Sequence, residues 1–192
     1  MEPHIEVEVK IRLSSVKEFD DIIKGLSAKF IDSNVEEDLY FNHPNRNFKN
    51  TGEVLRLRQD NRGRVTLTYK AIRPSAYKSK LEIEVEVNDY QAMLEILKNL
   101  GFKPVAKIVK NRRIYEIDFL GNKVHFLLDE VKGLGTFLEI EVMSKNTEEG
   151  ERLLKAILSK LNLTGRIITR SYLEMMLDKN NNSKAQYYTG MM

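Results

Sequence analysis

The sequence contains no cysteine, so it excludes disulfide bonds and a thiolate metal site. Histidine is scarce: His4, His43 and His125 show neither the HxH nor the HExxH spacing of a histidine metal centre. If a metal binds, we expect a hard cation with oxygen ligands, such as Mg²⁺ or Mn²⁺. The lack of cysteine also suits a cytoplasmic protein, which we expect here.

Long apolar runs and linkers are missing as well. No apolar run approaches the roughly 18 residues of a membrane span, and residues 1–13 are charged throughout, unlike a signal peptide. No Pro/Gly/Ser-rich linker divides the 192 residues, a length at which one domain can bury a substantial core. We therefore expect one domain over residues 1–178, a disordered tail over 179–192, and no membrane partner.

An excess of one charge is also lacking. The 31 basic and 28 acidic residues nearly cancel, leaving a net charge of +3. No platform of aromatic and basic residues is visible either, so nucleic-acid binding is not indicated. Because the totals cancel, any functional information must lie in how the charges are arranged.

Alternation of apolar and polar residues predicts most of the secondary structure. Around Glu6–Lys10, β-branched residues alternate with charged ones, which is typical of a strand with one buried face. Comparable signals predict further strands at 28–33, 36–42, 54–59, 65–71, 81–87, 105–117, 123–131 and 136–143. Residues 72–79 are interpreted as a polar loop.

Helical spacing and capping residues predict three helices and a short fourth. Ser15 and Glu18 form a capping box that opens the first helix. The other helices are predicted at 89–100, 147–161 and 171–179. Hairpin-length links imply mostly antiparallel pairing, so we expect an α+β fold whose helices cover the apolar faces of the strands. If the sheet closes into a barrel, the charged faces line its lumen.

Charges of one sign are collected on individual strands. Arg56 and Arg58 share a strand face with no acid, whereas Glu82, Glu84 and Glu86 share another with no cation. Each segment by itself is compatible with an ordinary half-buried strand. Together, however, like charges on neighbouring positions repel. If these faces line the lumen of a barrel, a polyanion bound to the basic strands and divalent cations bound to the acidic strands would relieve this repulsion. Magnesium-bound triphosphate meets both demands.

Several motifs occur in a fixed order along the chain. They are Glu6-x-Glu8-x-Lys10, Asp38-x-Tyr40-Phe41-x-x-Pro44, Leu55-Arg56-Leu57-Arg58, Thr68-Tyr69-Lys70, Lys80-x-Glu82-x-Glu84, Lys110-x-Arg112, Leu128-Asp129 with Gly133-x-Gly135 and Glu139-x-Glu141, and Arg170-Ser171-Tyr172. In this order they resemble the CYTH domain family, also called triphosphate tunnel metalloenzymes, over about residues 3–178. The family includes class IV adenylyl cyclases, thiamine triphosphatases and inorganic triphosphatases.

The resemblance implies an eight-stranded antiparallel closed β-barrel, a tunnel with helices packed on its outside, that binds a triphosphate with Mg²⁺ or Mn²⁺. It implies metal binding by Glu6, Glu8, Asp129, Glu139 and Glu141. It implies substrate binding by Lys10, Arg56, Arg58, Lys70, Lys110, Arg112 and Arg170. The catalytic residues expected on this basis are Glu6, Glu8, Lys10 and Glu84.

Three functions follow as hypotheses. We favour a metal-dependent hydrolase of inorganic triphosphate or a small organic triphosphate, because no segment provides a convincing adenine site. The first alternative is a class IV adenylyl cyclase, in which the 3′-hydroxyl of ATP attacks the α-phosphorus and pyrophosphate leaves. The second is a non-catalytic module that binds polyphosphate or a nucleotide. In each case the expected partner is a small triphosphate, and the protein is a monomer or homodimer.

Overall fold

The computed structural model describes residues 5–73, 79–144 and 146–189. Nine strands occur among these residues: β1 Ile5–Leu13, β2 Lys29–Asn42, β3 Val54–Asp60, β4 Val65–Arg73, β5 Ser79–Val87, β6 Lys103–Phe119, β7 Asn122–Val131, β8 Gly135–Ser144 and β9 Ile167–Ile168. The helices are α1 Val16–Ile23, α2 Phe48–Thr51, α3 Tyr90–Asn99, α4 Thr147–Lys160 and α5 Tyr172–Thr189, with a 3₁₀ turn at Thr164–Arg166. No helix within these ranges is both long and apolar enough to cross a membrane.

The strands pair antiparallel, as the hairpin-length links predict. Their hydrogen-bonded order is β5-β4-β3-β2-β6-β7-β8-β1-β9, which leaves β5 and β9 as edges. The predicted α+β class with an antiparallel sheet is confirmed, but the predicted closed barrel of eight strands is wrong. Alternation fixes which face of a strand is buried, whereas closure depends on strand tilt and stagger, which a residue pattern does not encode.

The chain separates into two compact units. The first contains residues 1–34 and 110–170, and the second contains residues 35–109 and 171–192. The long strands β2 and β6 therefore contribute residues to both units. Each unit has its own core and its own set of polar side chains.

The core of the first unit lies between helices α1 and α4 and one face of its strands. Phe19 of α1 and Ile157 of α4 are almost completely buried against Ile11 of β1 and Leu138 of β8. Close contact of α4 with the strands requires a glycine, because a Cβ at Gly150 would lie 2.5 Å from Val7 Cγ2. The opposite faces of β1 and β8 consequently carry their charged residues.

The core of the second unit is formed by α3 and the apolar faces of β2, β3 and β4. Leu97 of α3 is buried with Phe41, Leu57 and Val65. Burial of these alternating positions leaves the intervening polar residues of the three strands on the other face. The predicted helix and strands of this region are present.

Some element boundaries differ from the prediction. Segments 28–33 and 36–42 form one strand, because sheet pairing overrides the local turn preference of the polar residues at 32–34. Part of the predicted loop is strand, since β4 extends to Arg73, and residues 74–78 lie outside the described part. Helix α5 is longer than predicted and enters the segment expected to be a tail. The domain boundary at 178 stays a prediction.

Candidate functional site

Three carboxylates come together on the polar face of the first unit. Pairing of β1 with β8 places Glu8 directly opposite Glu141, and Lys10 opposite Glu139. One carboxylate oxygen from each of Glu8, Glu139 and Glu141 lies within 4.8 Å of the others. We call these three residues the carboxylate cluster. Glu139 is buried, Glu141 is half-buried and Glu8 is exposed, so the cluster is open on the Glu8 side.

Two basic residues contact the carboxylate cluster through Glu139. Lys10 Nζ lies 3.1 Å from Glu139 Oε1. Arg112 contacts the second oxygen of Glu139 and also grips Asp129 with two hydrogen bonds, Nε to Oδ1 at 2.7 Å and Nη2 to Oδ2 at 2.6 Å. Asp129 is completely buried. In this structure Asp129 thus serves as a partner of Arg112, beside the carboxylate cluster rather than within it.

The chemistry of the carboxylate cluster fits a divalent cation. Three carboxylate groups this close repel one another unless positive charge lies between or beside them. Lys10 offsets part of that charge at Glu139, while Glu8 and Glu141 supply further oxygen donors. Mg²⁺ and Mn²⁺ prefer oxygen ligands of this kind. The side chain of Glu6, a fourth predicted ligand, lies outside the described residues.

A second group of charges lies on the polar face of the second unit and centres on Arg58 of β3. Its Nε and Nη2 donate to Asp38 Oδ1 and Oδ2 at 2.5 and 2.8 Å. Its Nη1 forms an ion pair with Glu36 Oε2 at 2.9 Å. Both acids come from β2 and are buried. Every nitrogen of the Arg58 guanidinium therefore faces a carboxylate.

Arg56, two residues earlier on the same face, is held differently. Its Nη2 donates to the hydroxyl of Thr68 at 3.1 Å and lies 3.5 Å from Glu84 Oε2. Its Nη1 is 4.0 Å from Asp38 Oδ2. Its Nε is buried and has no hydrogen-bond partner within the described ranges. Thr68 in turn donates to Glu84 at 2.7 Å, so Arg56, Thr68 and Glu84 form a chain across three strands.

Burial and neighbouring charges shift the pKa values of Arg58 and Tyr40 in this second group of charges. Burial alone would lower the pKa of Arg58, but the hydrogen bonds and negative charge of Asp38, with the charge of Glu36, outweigh it and raise the pKa. Burial raises the pKa of the Tyr40 phenol, and the charge of Asp38 raises it further, against the opposing charges of Arg56 and Arg58. Tyr40 therefore remains a neutral donor, 3.4 Å from Asp38 Oδ2.

Pairing across strands corrects one expectation about the sorted charges. Arg56 and Arg58 do pair with acidic residues, because the neighbouring strands contribute Asp38 and Glu84 to the same face. Lys70 likewise pairs with Glu82 at 2.8 Å. Charges that are sorted along each strand are thus complementary across strands, which removes the repulsion that alternation alone predicts. Sorted charge does not by itself require a ligand.

Lys110 and Arg170, which are also predicted to bind substrate, lie in different surroundings. Lys110 is buried on β6 and shares the strand face of Arg112. Arg170 is exposed immediately before Ser171, whose hydroxyl accepts a hydrogen bond from the backbone N–H of Glu174 at the start of α5. A role for Lys110 and Arg170 in substrate binding stays a prediction.

Sequence reasoning missed Glu36 and Thr68, and it gave Asp38 no role. Strand alternation places Glu36, Asp38 and Tyr40 on one face, which was an available signal. Thr68 could be identified only from strand register, since it is the cross-strand partner of both Arg56 and Glu84.

Comparison with known proteins agrees with the fold and the motifs. The profile of the CYTH domain matches residues 4–172. The Methanocaldococcus jannaschii protein named "Putative adenylate cyclase MJ0240" is 38% identical over 176 residues, covering 89% of this chain and 98% of that protein. "Adenylate cyclase CyaB" of Aeromonas hydrophila is 28% identical over 172 residues, covering 87% and 86%.

Solved structures show the same fold. PH1819 of Pyrococcus horikoshii OT3 superposes with a TM-score of 0.76 at 37% identity, covering 91% of this chain and 99% of that one. A Hippeastrum protein, HpAC1, described as having a dominant triphosphatase activity, superposes with a TM-score of 0.64 at 19% identity, covering 92% and 96%. The chain belongs to the CYTH domain family.

Proposed function

We propose that this protein is a metal-dependent hydrolase that acts on inorganic triphosphate or on a small organic triphosphate, such as thiamine triphosphate or a nucleoside triphosphate. The observation that carries the proposal is the carboxylate cluster of Glu8, Glu139 and Glu141 in contact with Lys10 and Arg112. Oxygen ligands for a hard cation and cations for phosphate oxygens lie side by side there. Phosphoryl transfer requires both.

The metal would be Mg²⁺ or Mn²⁺, held by Glu8, Glu139 and Glu141, with Glu6 as a further ligand in the proposal. Such a cation acts as a Lewis acid on phosphoryl oxygens. Asp129 contributes by holding Arg112, with Nη2 2.6 Å from Asp129 Oδ2. A carboxylate that fixes an arginine reduces the freedom of its fork and keeps its remaining N–H groups in place.

Basic side chains would bind the phosphates. In the first unit these are Lys10, Lys110 and Arg112. In the second unit they are Arg56, Arg58 and Lys70. Arg170, at the end of the first unit, is included from the family motif. Arginine donates to two phosphate oxygens at once through its planar fork, whereas lysine acts as a point charge. Glu84, in hydrogen-bond contact with Thr68, would support Arg56 in this set.

In the proposed reaction, water attacks the terminal phosphorus and the bond from that phosphorus to the bridging oxygen breaks. The bridging oxygen gains negative charge as pyrophosphate or a diphosphate leaves, and the attacking water gives up a proton to the surrounding solvent. Lys10 and Arg112 stabilise the developing charge because they are fixed beforehand by Glu139 and Asp129. Glu8, the exposed member of the carboxylate cluster, is the candidate to orient water.

Adenylate cyclase activity is the second candidate, and it is supported by the names of the two relatives at 38% and 28% identity. In that reaction the 3′-hydroxyl of ATP would attack the α-phosphorus, and pyrophosphate would leave. The same metal ligands and cations would serve both reactions. The description of the Hippeastrum protein supports hydrolysis in a protein of this fold.

A substrate panel tests the proposal. The purified protein is incubated with Mg²⁺ or Mn²⁺ and either tripolyphosphate, thiamine triphosphate or ATP, and free phosphate, pyrophosphate and cyclic AMP are measured. We expect release of phosphate that requires the metal and stops with EDTA. Cyclic AMP without free phosphate would replace hydrolysis with cyclisation, and binding without any turnover would support the non-catalytic alternative.

A further inference from the structure

Arg12 of β1 lies on the same strand face as Glu8 and Lys10, but it belongs neither to the carboxylate cluster nor to the proposed phosphate-binding residues. It is the cross-strand partner of Phe137 on β8, and its guanidinium carbon lies 4.8 Å from the centre of that ring. Phe137 is completely buried, whereas Arg12 is exposed. The accessible surface of the guanidinium is therefore on the side that faces away from the ring.

The guanidinium of Arg12 is held in this position by the turn between β7 and β8. Its Nη1 donates to the carbonyl oxygen of Leu134 at 2.8 Å. Gly133 and Gly135 flank Leu134 with φ values of +80° and +112°, which residues with a side chain rarely adopt. A Cβ at Gly135 would contact Arg12 Nη1 at 3.5 Å. The Gly-x-Gly motif of the sequence thus shapes a turn whose carbonyl orients Arg12.

The stacked pair of Arg12 and Phe137 lies beside residues proposed to bind phosphate. Along β1, Arg12 is two residues beyond Lys10, which is about 7 Å at the usual rise of a strand. Across the sheet, Phe137 lies opposite Asp129, and Asp129 pairs with Arg112. A group attached to a phosphate chain at Lys10 and Arg112 can therefore reach the outer side of Arg12.

We propose that Arg12 is a specificity-determining residue that binds the organic part of the substrate, and that this part is an uncharged aromatic ring such as a nucleobase. A guanidinium plane stacks on aromatic faces, and every nucleobase presents such a face. Phe137 supports the guanidinium on its other side. A cationic ring, such as the thiazolium of thiamine triphosphate, is repelled by the same charge. Inorganic triphosphate has no ring and does not use Arg12.

This inference rests on the proposed function, because it requires a phosphate chain bound beside Arg12. Alternation along the sequence does not reveal the stacked pair, since only the register of β1 against β8 brings Arg12 onto Phe137. The same surface would serve ATP in hydrolysis and in cyclisation. The inference therefore concerns which triphosphate is bound, and the substrate panel decides which reaction follows.

The test compares ATP, thiamine triphosphate and tripolyphosphate as substrates of the unaltered protein and of Arg12→Lys. Lysine keeps the positive charge but lacks the planar group, so it separates stacking from attraction to phosphate. We expect the KM for ATP to rise about tenfold with kcat nearly unchanged, while the KM for the other two substrates changes by less than about threefold. Arg152→Lys is the matched control, because Arg152 is exposed on α4.

Calorimetry in EDTA measures the same preference without turnover. The ratio of the dissociation constants for ATP and tripolyphosphate should rise about tenfold in Arg12→Lys. In the unaltered protein, ATP should bind more tightly than thiamine triphosphate. This second comparison needs no variant, so it decides the matter even if Arg12→Lys does not fold.

The outcomes separate the two proposals. If the unaltered protein neither binds nor converts any of the three triphosphates, the proposed function fails and this inference fails with it. If it binds them, but Arg12→Lys changes ATP and tripolyphosphate affinity equally or not at all, the proposed function stands and Arg12 does not bind the ring. Thiamine triphosphate bound as tightly as ATP would likewise overturn the preference for an uncharged ring.

Discussion

Glu8 of β1 lies directly opposite Glu141 of β8, and the oxygens of both approach Glu139 within 4.8 Å. Like charges in this cross-strand relationship destabilise a sheet unless a cation is close. Lys10, two residues after Glu8, provides one such cation at Glu139. Arg112 contacts the other oxygen of Glu139 and provides a second.

Replacing Glu8 with glutamine should abolish metal-dependent turnover. The change keeps the shape of the side chain but removes a charged oxygen from the proposed metal site, so the rate should fall by more than the roughly 10–100-fold typical of outer-shell partners. Binding of tripolyphosphate in EDTA should stay measurable, because the basic residues are unchanged. Glu86→Gln is the matched control, since that glutamate is exposed on β5 and pairs with Arg64. Activity of Glu8→Gln close to that of the control would remove Glu8 from the metal site.

The buried pair of Arg112 and Asp129 should contribute strongly to stability. Asp129→Asn deprives Arg112 of a charged partner, and breaking a buried pair typically costs about 3–5 kcal/mol in free energy of unfolding. The more exposed neighbouring pair of Arg113 and Glu130 is the control, with Glu130→Gln expected to cost less than about 1 kcal/mol. Urea denaturation of both variants measures the difference. Equal losses in free energy of unfolding for the two variants would mean that the burial of Asp129 does not strengthen its pair with Arg112.

Gly150 should not tolerate alanine. Alanine favours a helix by about 1 kcal/mol over glycine, but its Cβ would lie 2.5 Å from Val7 Cγ2 and 2.7 Å from Ser144 Oγ. Overpacking of this kind typically costs about 1–3 kcal/mol, so the thermal midpoint should fall. Gly165→Ala is the control, because no atom lies within 4 Å of its Cβ position. A higher midpoint for Gly150→Ala would show that α4 can shift away from β1.

Acid should weaken the second unit through Glu53. Hydrogen bonds from Arg46, then from Thr51 and Tyr69, lower the pKa of Glu53 to about 2, against the opposing effect of burial. The unfolded chain therefore binds this proton at higher pH than the folded one. The stabilisation is complete above the ordinary glutamate value of 4.5 and is lost as the pH falls from there to about 2.

Glu53→Gln tests this pH dependence. At pH 7 the variant should be less stable by up to about 1 kcal/mol, because the main partner Arg46 is half-exposed and solvent screens the pair. The difference from the unaltered protein should shrink at pH 3 and continue to shrink toward pH 2. Urea denaturation at these pH values measures it, and a difference that stays constant with pH would contradict the lowered pKa.

Alternation was sufficient to predict which residues share a face. It placed Glu8 with Lys10, and Arg56 with Arg58, because side chains on a strand alternate regardless of what the strand pairs with. Hairpin-length links were likewise sufficient to predict antiparallel neighbours such as β3 and β4. Alternation along a strand and the length of a hairpin link both depend on residues that are close together in the chain, so a single sequence is enough to predict them.

Features that depend on distant parts of the chain were not predictable. The ion pairs of Asp38 with Arg58 and of Asp129 with Arg112 depend on the register between strands. When the register is unknown, the basic strand faces have no visible acidic partners. Closure of the sheet depends on contacts between its first and last strands, and the barrel was predicted from the family resemblance. The two-residue strand β9 pairs with β1 but is too short to leave a pattern.

Binding of Mn²⁺ provides the sharpest test of the carboxylate cluster as a metal site. Electron paramagnetic resonance titration counts the bound ions and gives their affinity without any assumption about turnover. We expect saturable binding in the unaltered protein and a loss of affinity of more than about tenfold in both Glu8→Gln and Glu141→Gln. Equal Mn²⁺ affinity in the unaltered protein and both variants would show that the carboxylate cluster is not a metal site.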